Sequence, residues 1–136
     1  MKGITHLLDT NILSELIRYP QGAVAQRIRE QGEATVCTSL IVAAEIRYGC
    51  AKKKSAKLTA QADAILKALT IVPLEPPIDE IYGRIRHVLE AKGEPIGPND
   101  LLIAAHALCH DLTLVTANVA EFSRVSKLKV ENWLNH

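Results

Sequence analysis

Aromatic residues are scarce in this chain of 136 residues, which has one Trp, one Phe and three Tyr. That poverty argues against recognition of nucleic acid mainly by stacking bases on rings. Cysteine is equally thin: Cys37, Cys50 and Cys109 are odd in number, widely spaced and never paired as Cys-x-x-Cys. Neither a disulfide framework nor a zinc site follows from such a set, and a reducing compartment suits it. Neither sign of charge is in excess, because Lys and Arg number 16 against 15 Asp and Glu, a formal net charge of +1. A strongly basic nucleic-acid coat is thereby excluded, and any affinity for phosphate has to be local. Long apolar runs are missing too, and the first one, Ile4 to Leu8, stops at Asp9, too short for a signal core or a membrane span. The expectation is a soluble, cytoplasmic protein that does not engage a membrane. With no repeat, low-complexity tract or linker, residues 1–136 read as one domain, long enough to bury roughly two-thirds of its unfolded surface in a single core.

What the chain does have is an alternation of strand-like and helix-like segments. Strands are expected at 4–8, 35–38, 71–73, 112–116 and 129–131. Helices are expected at 11–19, 22–31, 40–50 with Ser39 as N-cap, across Leu58 to Leu69, from Pro77 to near Gly93, and at 100–109. Lys52, Lys53 and Lys54 break the apolar pattern between the third and fourth helices. The segment Leu101 to Leu108 is apolar almost all round, which implies burial on both sides, one of which a partner subunit could supply. This order predicts an α/β fold with a parallel sheet of four to five strands and helices on both faces.

Four polar residues stand where an apolar run gives way to a turn or helix start: Asp9, Glu45, Asp100 and Asn118. In a parallel α/β sheet, the strand ends and following helix starts line one crevice where ligands bind. Acidic groups gathered there need a cation, and the simplest is a divalent ion with oxygen ligands, Mg²⁺ or Mn²⁺, whose commonest substrate is a phosphate. Asp9, taken alone, reads better as a plain cap of the first helix and is drawn to the site by the company it keeps, while Asp100 can cap the sixth and offer its other oxygen to a cation. Glu45 is more telling, because it interrupts the stripe that should face the core, where a carboxylate is costly unless a metal or a salt bridge with Arg47 or a nearby Lys neutralises it. Asn118 offers a neutral carbonyl oxygen, and Glu121, three residues on, is a further carboxylate able to act through water. His106 and His110 lie four apart but lack a neighbouring ligand set, so packing or exposure is expected of them. Lys52, Lys53, Lys54 and Lys57 form a solvated face that could meet a nucleic-acid backbone.

The stretches Leu7-Leu8-Asp9-Thr10-Asn11-Ile12, Ala44-Glu45-Ile46-Arg47-Tyr48-Gly49, Pro95 to Asp100 with Ile103-Ala104-Ala105-His106-Ala107, and Leu114 to Asn118 with Glu121-Phe122 closely resemble the PIN-domain ribonuclease toxins of the VapC type. The match runs through the chain in order, as far as Val130-Glu131-Asn132-Trp133. The resemblance implies a three-layer α/β/α fold and an endoribonuclease in which Asp9, Glu45 and Asp100 bind Mg²⁺ or Mn²⁺ and are catalytic. It further implies a homodimer, neutralisation by a small VapB-type antitoxin, and an RNA substrate, frequently tRNA. The position of Asn118 is often Asp in PIN domains at large, so Asn118 and Glu121 compete for the fourth place in the site.

With these residues the expected chemistry is in-line attack on phosphorus by metal-activated water, with Glu45 or Asp100 as proton acceptor. Thr10, Asn11, Ser39 and Thr116 are the candidates to orient ligands and water. Two rival classes share part of the pattern. An aspartate-nucleophile phosphotransferase also places Asp after the first strand but needs an acid two residues later, where this chain has Asn11. A non-catalytic RNA- or protein-binding module on the same fold is the other.

Overall fold

The computed structural model describes residues 3–134. In chain order the elements are β1 (His6–Leu8), α1 (Thr10–Arg18), α2 (Ala23–Gln31), β2 (Val36–Ser39), α3 (Leu40–Lys53), α4 (Ala56–Ala68), β3 (Thr70–Val72), α5 (Ile78–Ala91), α6 (Pro98–Cys109), β4 (Thr113–Val115), α7 (Val119–Phe122) and β5 (Val130–Glu131). All five strands are parallel, in the order β3-β2-β1-β4-β5. Helices flank the sheet in a three-layer α/β/α arrangement.

The order explains where a ligand can sit. From β1 the chain steps outward to β2 and β3, then returns across the sheet to place β4 on the other side of β1. The crossovers therefore part between β1 and β4, which opens a crevice beyond the carboxyl ends of those two strands. The register sets Leu8 beside Val115, so Asp9 and Thr116 emerge together at that point. Beneath them the sheet is dry: every residue of β1 and β2 is buried, as are Leu114 and Val115. The scarce large rings are spent here as well, for Phe122 and Trp133 are buried in the core, where they cannot stack on a base.

Most of the expected elements form, with instructive shifts. Thr35, expected to open the second strand, instead closes a short 3-10 turn, Glu33–Thr35. Helix α3 runs on through Lys52 and Lys53 and ends at Lys54 in the left-handed conformation (φ 53°), so the lysine run is a helix end whose cations face the negative pole of the macrodipole. Pro77 sits at the N-cap of α5, one residue before its first turn. Four residues, Val119–Phe122, form an additional helical turn, α7, too short to leave a period in the sequence. The apolar α6 needs no partner subunit to cover it, because α5 packs along it, α3 crosses it and the sheet lies beneath.

One polar contact ties α3 to α6. The Ser39 hydroxyl caps α3 by accepting the Ile41 N–H at 3.1 Å and pairs with Nδ1 of the fully buried His106 at 2.8 Å. Nε2 of His106 has no partner at hydrogen-bond geometry, although the Pro73 carbonyl lies close enough to favour its protonated form slightly. Burial, with the neighbouring His110, pushes the His106 pKa down to about 4, so the ring is neutral and structural, as expected of a packing residue.

Candidate active site

Asp9 stands at the N-cap of α1 in an extended conformation, but its carboxylate makes no capping hydrogen bond. Its backbone is held on both sides: its N–H donates to the Val115 carbonyl at 2.8 Å and its own carbonyl accepts from Leu13 at 3.0 Å. The carboxylate instead takes the Thr116 hydroxyl on Oδ2 at 2.7 Å. Burial raises the Asp9 pKa, the hydrogen bonds from Thr116 and the Thr10 N–H oppose that rise, and the charges of Glu45 and Glu121 add to it. A carboxylate only 3% exposed that binds Thr116 and feels the charges of other carboxylates is not serving only as a cap.

Glu45 is half-buried on α3 and does not pair with Arg47, whose guanidinium binds Asp63. Both its oxygens are engaged by neutral donors: Thr10 donates its hydroxyl to Oε1, and the Asn99 amide donates to Oε2 at 3.3 Å. Asp100 is not a cap either. Gly97 occupies that position and Pro98 the first turn, which places Asp100 third in α6, at the positive end of the helix. Even so, its pKa is raised to about 7, first by burial, then by its hydrogen bond with Glu121 and the charges of Asp9, Glu121 and Glu45. Four carboxyl groups from α3, α6, α7 and the end of β1 thus bear on one another.

Between them lies an open cleft of about 510 Å³, lined by Asp9, Thr10, Asn11, Glu45, Asp100 and Asn118, and also by Ser14, Glu15 and Arg18 of α1. Arg18 is the single cation on this wall among the described residues, and it is not ion-paired to any of the carboxylates. The donors are hard oxygens, the type Mg²⁺ and Mn²⁺ prefer. Among the described residues, no three His, Cys, Asp or Glu side chains stand close enough together to hold a metal ion as placed.

The residues read as orienting groups divide. Thr10 and Thr116 each hold a carboxylate, and the Asn11 side-chain oxygen accepts the Ala117 N–H at 3.4 Å, tying α1 to the turn after β4. Ser39 departs from that expectation: it lies beneath the start of α3 against His106 and touches no carboxylate. Asn118 lines the cleft with an exposed side chain, and its backbone N–H donates to the Thr116 hydroxyl at 3.0 Å. Glu121 is the residue whose carboxyl meets Asp100. Sequence reasoning missed Asn99, which entered only within the stretch Pro95 to Asp100, and the Ser14 and Arg18 side chains. The latter two follow Asn11 by three and seven residues, the spacing that keeps side chains on one helix face.

Comparison with known proteins bears on the family and the fold. The family model described as PIN domain matches residues 6–128. Ribonuclease VapC2 of Rickettsia felis is 39% identical over 130 residues, which cover 94% of this chain and 97% of the relative. The tRNA(fMet)-specific endonuclease VapC of Shigella flexneri is 32% identical, over 93% of this chain and 96% of the relative. Among solved structures, a chain of the VapBC2 complex of Rickettsia felis bound to a DNA fragment of its promoter superposes with a TM-score of 0.89 at 37% identity, covering 96% of this chain and 99% of that one.

Proposed function

This chain belongs to the PIN-domain family, among its VapC ribonucleases, and from that premise we propose that it is an endoribonuclease toxin dependent on Mg²⁺ or Mn²⁺. The observation that carries the metal reading is the gathering of Asp9, Glu45 and Asp100 on one cleft, none of them ion-paired among the described residues, where burial and the neighbouring carboxylates push Asp100 up to about 7. Such an arrangement is costly in the metal-free protein and becomes favourable once a dication enters.

In this reading Asp9, Glu45 and Asp100 hold the cation, with Glu121 beside Asp100. The ion, when bound, supplies acidity to water and offsets charge on the phosphate. The rest belongs to the chain. Thr116 fixes one Asp9 oxygen, while Thr10 and Asn99 fix both Glu45 oxygens, so their remaining lone pairs keep one direction. Glu45, held by two neutral donors, or Asp100, held by the Glu121 carboxyl, takes the proton from the attacking water. Asn118 orients water or substrate through its amide. The substrate class is RNA, with tRNA favoured by the name of the Shigella relative. A VapB-type antitoxin is the expected partner, since the similar solved structures are VapBC complexes. A homodimer is part of the same proposal, for Leu40 and Tyr48, two turns apart on α3, expose large apolar side chains.

The test is cleavage of total tRNA by purified protein, free of antitoxin, with Mn²⁺ or Mg²⁺ and with chelator. Asp9→Asn, Glu45→Gln and Asp100→Asn each remove a charge and keep the shape, and each is expected to lower the rate by at least about a hundredfold, the scale of losing an electrostatic or acid–base group. Cleavage by Asp100→Asn at the wild-type rate would falsify the assignment.

A further inference from the structure

Several cations of this protein have acidic partners: Arg27 lies near Glu131, Arg47 binds Asp63, Arg86 binds Glu90, and Lys129 lies near Asp111. A second groove, of about 430 Å³, runs between α5 and the connection from α7 to β5 and gathers four that have none among the described residues. Arg84, Lys92, Arg124 and Lys127 line it, all exposed, and among the described residues no carboxylate lines it. Its floor is aliphatic, with Ile85 half-buried and Val88 40% exposed. Arg124 donates its guanidinium N–H to the Pro95 carbonyl at 3.2 Å and its backbone N–H to the Glu121 carbonyl at 3.2 Å, so the rim of this groove follows directly on the turn that carries Glu121.

A cleft of carboxylates repels the polyanion it is to cut, and the protein as a whole, at a net charge of +1, does little to attract one. The attraction has to come from cations outside the cleft that no acid already neutralises. We propose that the α5 groove binds the phosphate backbone of the RNA at a distance from the scissile bond, with Arg84, Lys92 and Lys127 on successive phosphates and the aliphatic floor under the sugars. The proposal rests on the ribonuclease reading above. Contacts of this kind fix register and carry no sequence information, so the groove decides which phosphate of a folded RNA falls on Asp9, Glu45 and Asp100.

The test uses the triple variant Arg84→Glu, Lys92→Glu, Lys127→Glu, which keeps Arg124 as the brace on Pro95. Binding of total tRNA in chelator, measured across salt concentrations, reads the groove without cleavage. Loss of three phosphate contacts lowers the slope of log affinity against log salt by roughly 2 to 3. In Mn²⁺ the KM for tRNA is expected to rise by about tenfold or more, the scale of losing several phosphate contacts. Cleavage of the shortest oligonucleotide that the wild type still cuts should stay unchanged. An unaltered salt slope overturns the proposal, as does an equal loss on the short oligonucleotide. So does a variant that binds tRNA normally but escapes its antitoxin, which would make the groove a seat for an acidic protein. If the wild type cuts no RNA at all, the ribonuclease reading fails, while the chelator binding assay still judges the groove.

Discussion

At the scale of single residues, Asp100 carries the clearest conflict between charge and surroundings. Its pKa in the folded chain, about 7, lies above the ordinary 3.8, so the folded state holds its proton more tightly than the unfolded state does. Stability of the metal-free protein is therefore expected to fall as pH rises from about 4 to about 7. Mn²⁺ should restore it, by an amount that grows with the logarithm of the free ion once that exceeds its dissociation constant. Thermal unfolding in chelator and in Mn²⁺ across that range checks both statements: the Asp100→Asn variant should lose most of the pH dependence and most of the metal response. Identical curves for wild type and variant would remove the reason for invoking a cation. Asn118 and Glu121 separate on the same grounds. Asn118→Ala removes a neutral, exposed amide and should lower the cleavage rate less than Asp100→Ala, whereas Glu121→Gln, which takes away the carboxylate touching Asp100, should cost more than Asn118→Ala. A complete loss from Asn118→Ala would reverse that ranking. Glu45 was legible in the sequence because a carboxylate in a core-facing stripe is costly, while Asp9 and Asp100, each readable as a cap, were picked out by the company of the others. The part played by Glu121 was not, because it depends on a helical turn of four residues that turns the side chain back toward α6.

Among the elements, α3 and α6 matter most, since they carry Glu45 and Asp100, and their mutual placement runs through Ser39. Replacing Ser39 by Ala removes a helix cap, worth about 1 kcal/mol, and leaves the buried His106 ring without its one good partner, worth about 1–3 kcal/mol more. Ser55 offers the control, because its hydroxyl caps α4 by accepting the Leu58 N–H at 3.1 Å and does nothing else. Urea unfolding should show Ser55→Ala losing about 1 kcal/mol and Ser39→Ala about 2–4 kcal/mol. Equal losses would mean that the histidine contact contributes nothing. The helices themselves were readable from their apolar spacing, and Ser39 as a cap from its place before Leu40. Its second role was hidden, for the pairing with His106 joins residues 67 positions apart, and no local pattern reports such a contact. The all-round apolar character of α6 was read correctly as burial, but its covering comes from α5 and α3 of the same chain.

For the molecule as a whole, alternation of strands and helices revealed a parallel α/β fold, but not the strand order, since nothing in a strand's own residues says on which side of β1 it will pair. That order has consequences for control. Carboxylates crowded at one crevice should welcome a guanidinium as readily as a metal, because the planar fork of Arg matches carboxylate geometry. The antitoxin is accordingly expected to place a basic side chain among Asp9, Glu45 and Asp100, and its replacement by Ala should restore RNA cleavage while leaving most of the binding. Cleavage and affinity assays on the purified complex decide this, and full inhibition by an antitoxin with no basic residue near the cleft would point to simple blocking. The central position of β1 also sets a schedule. Its two neighbours are residues 36–39 and 113–115, so the first strand waits, half paired, until the chain has been made past residue 115. Asp9 gains its Val115 and Thr116 contacts only then, and Glu121 follows later still. A nascent chain that stops short of β4 leaves Asp9 without the contacts that hold it, so the cleft is assembled late in synthesis.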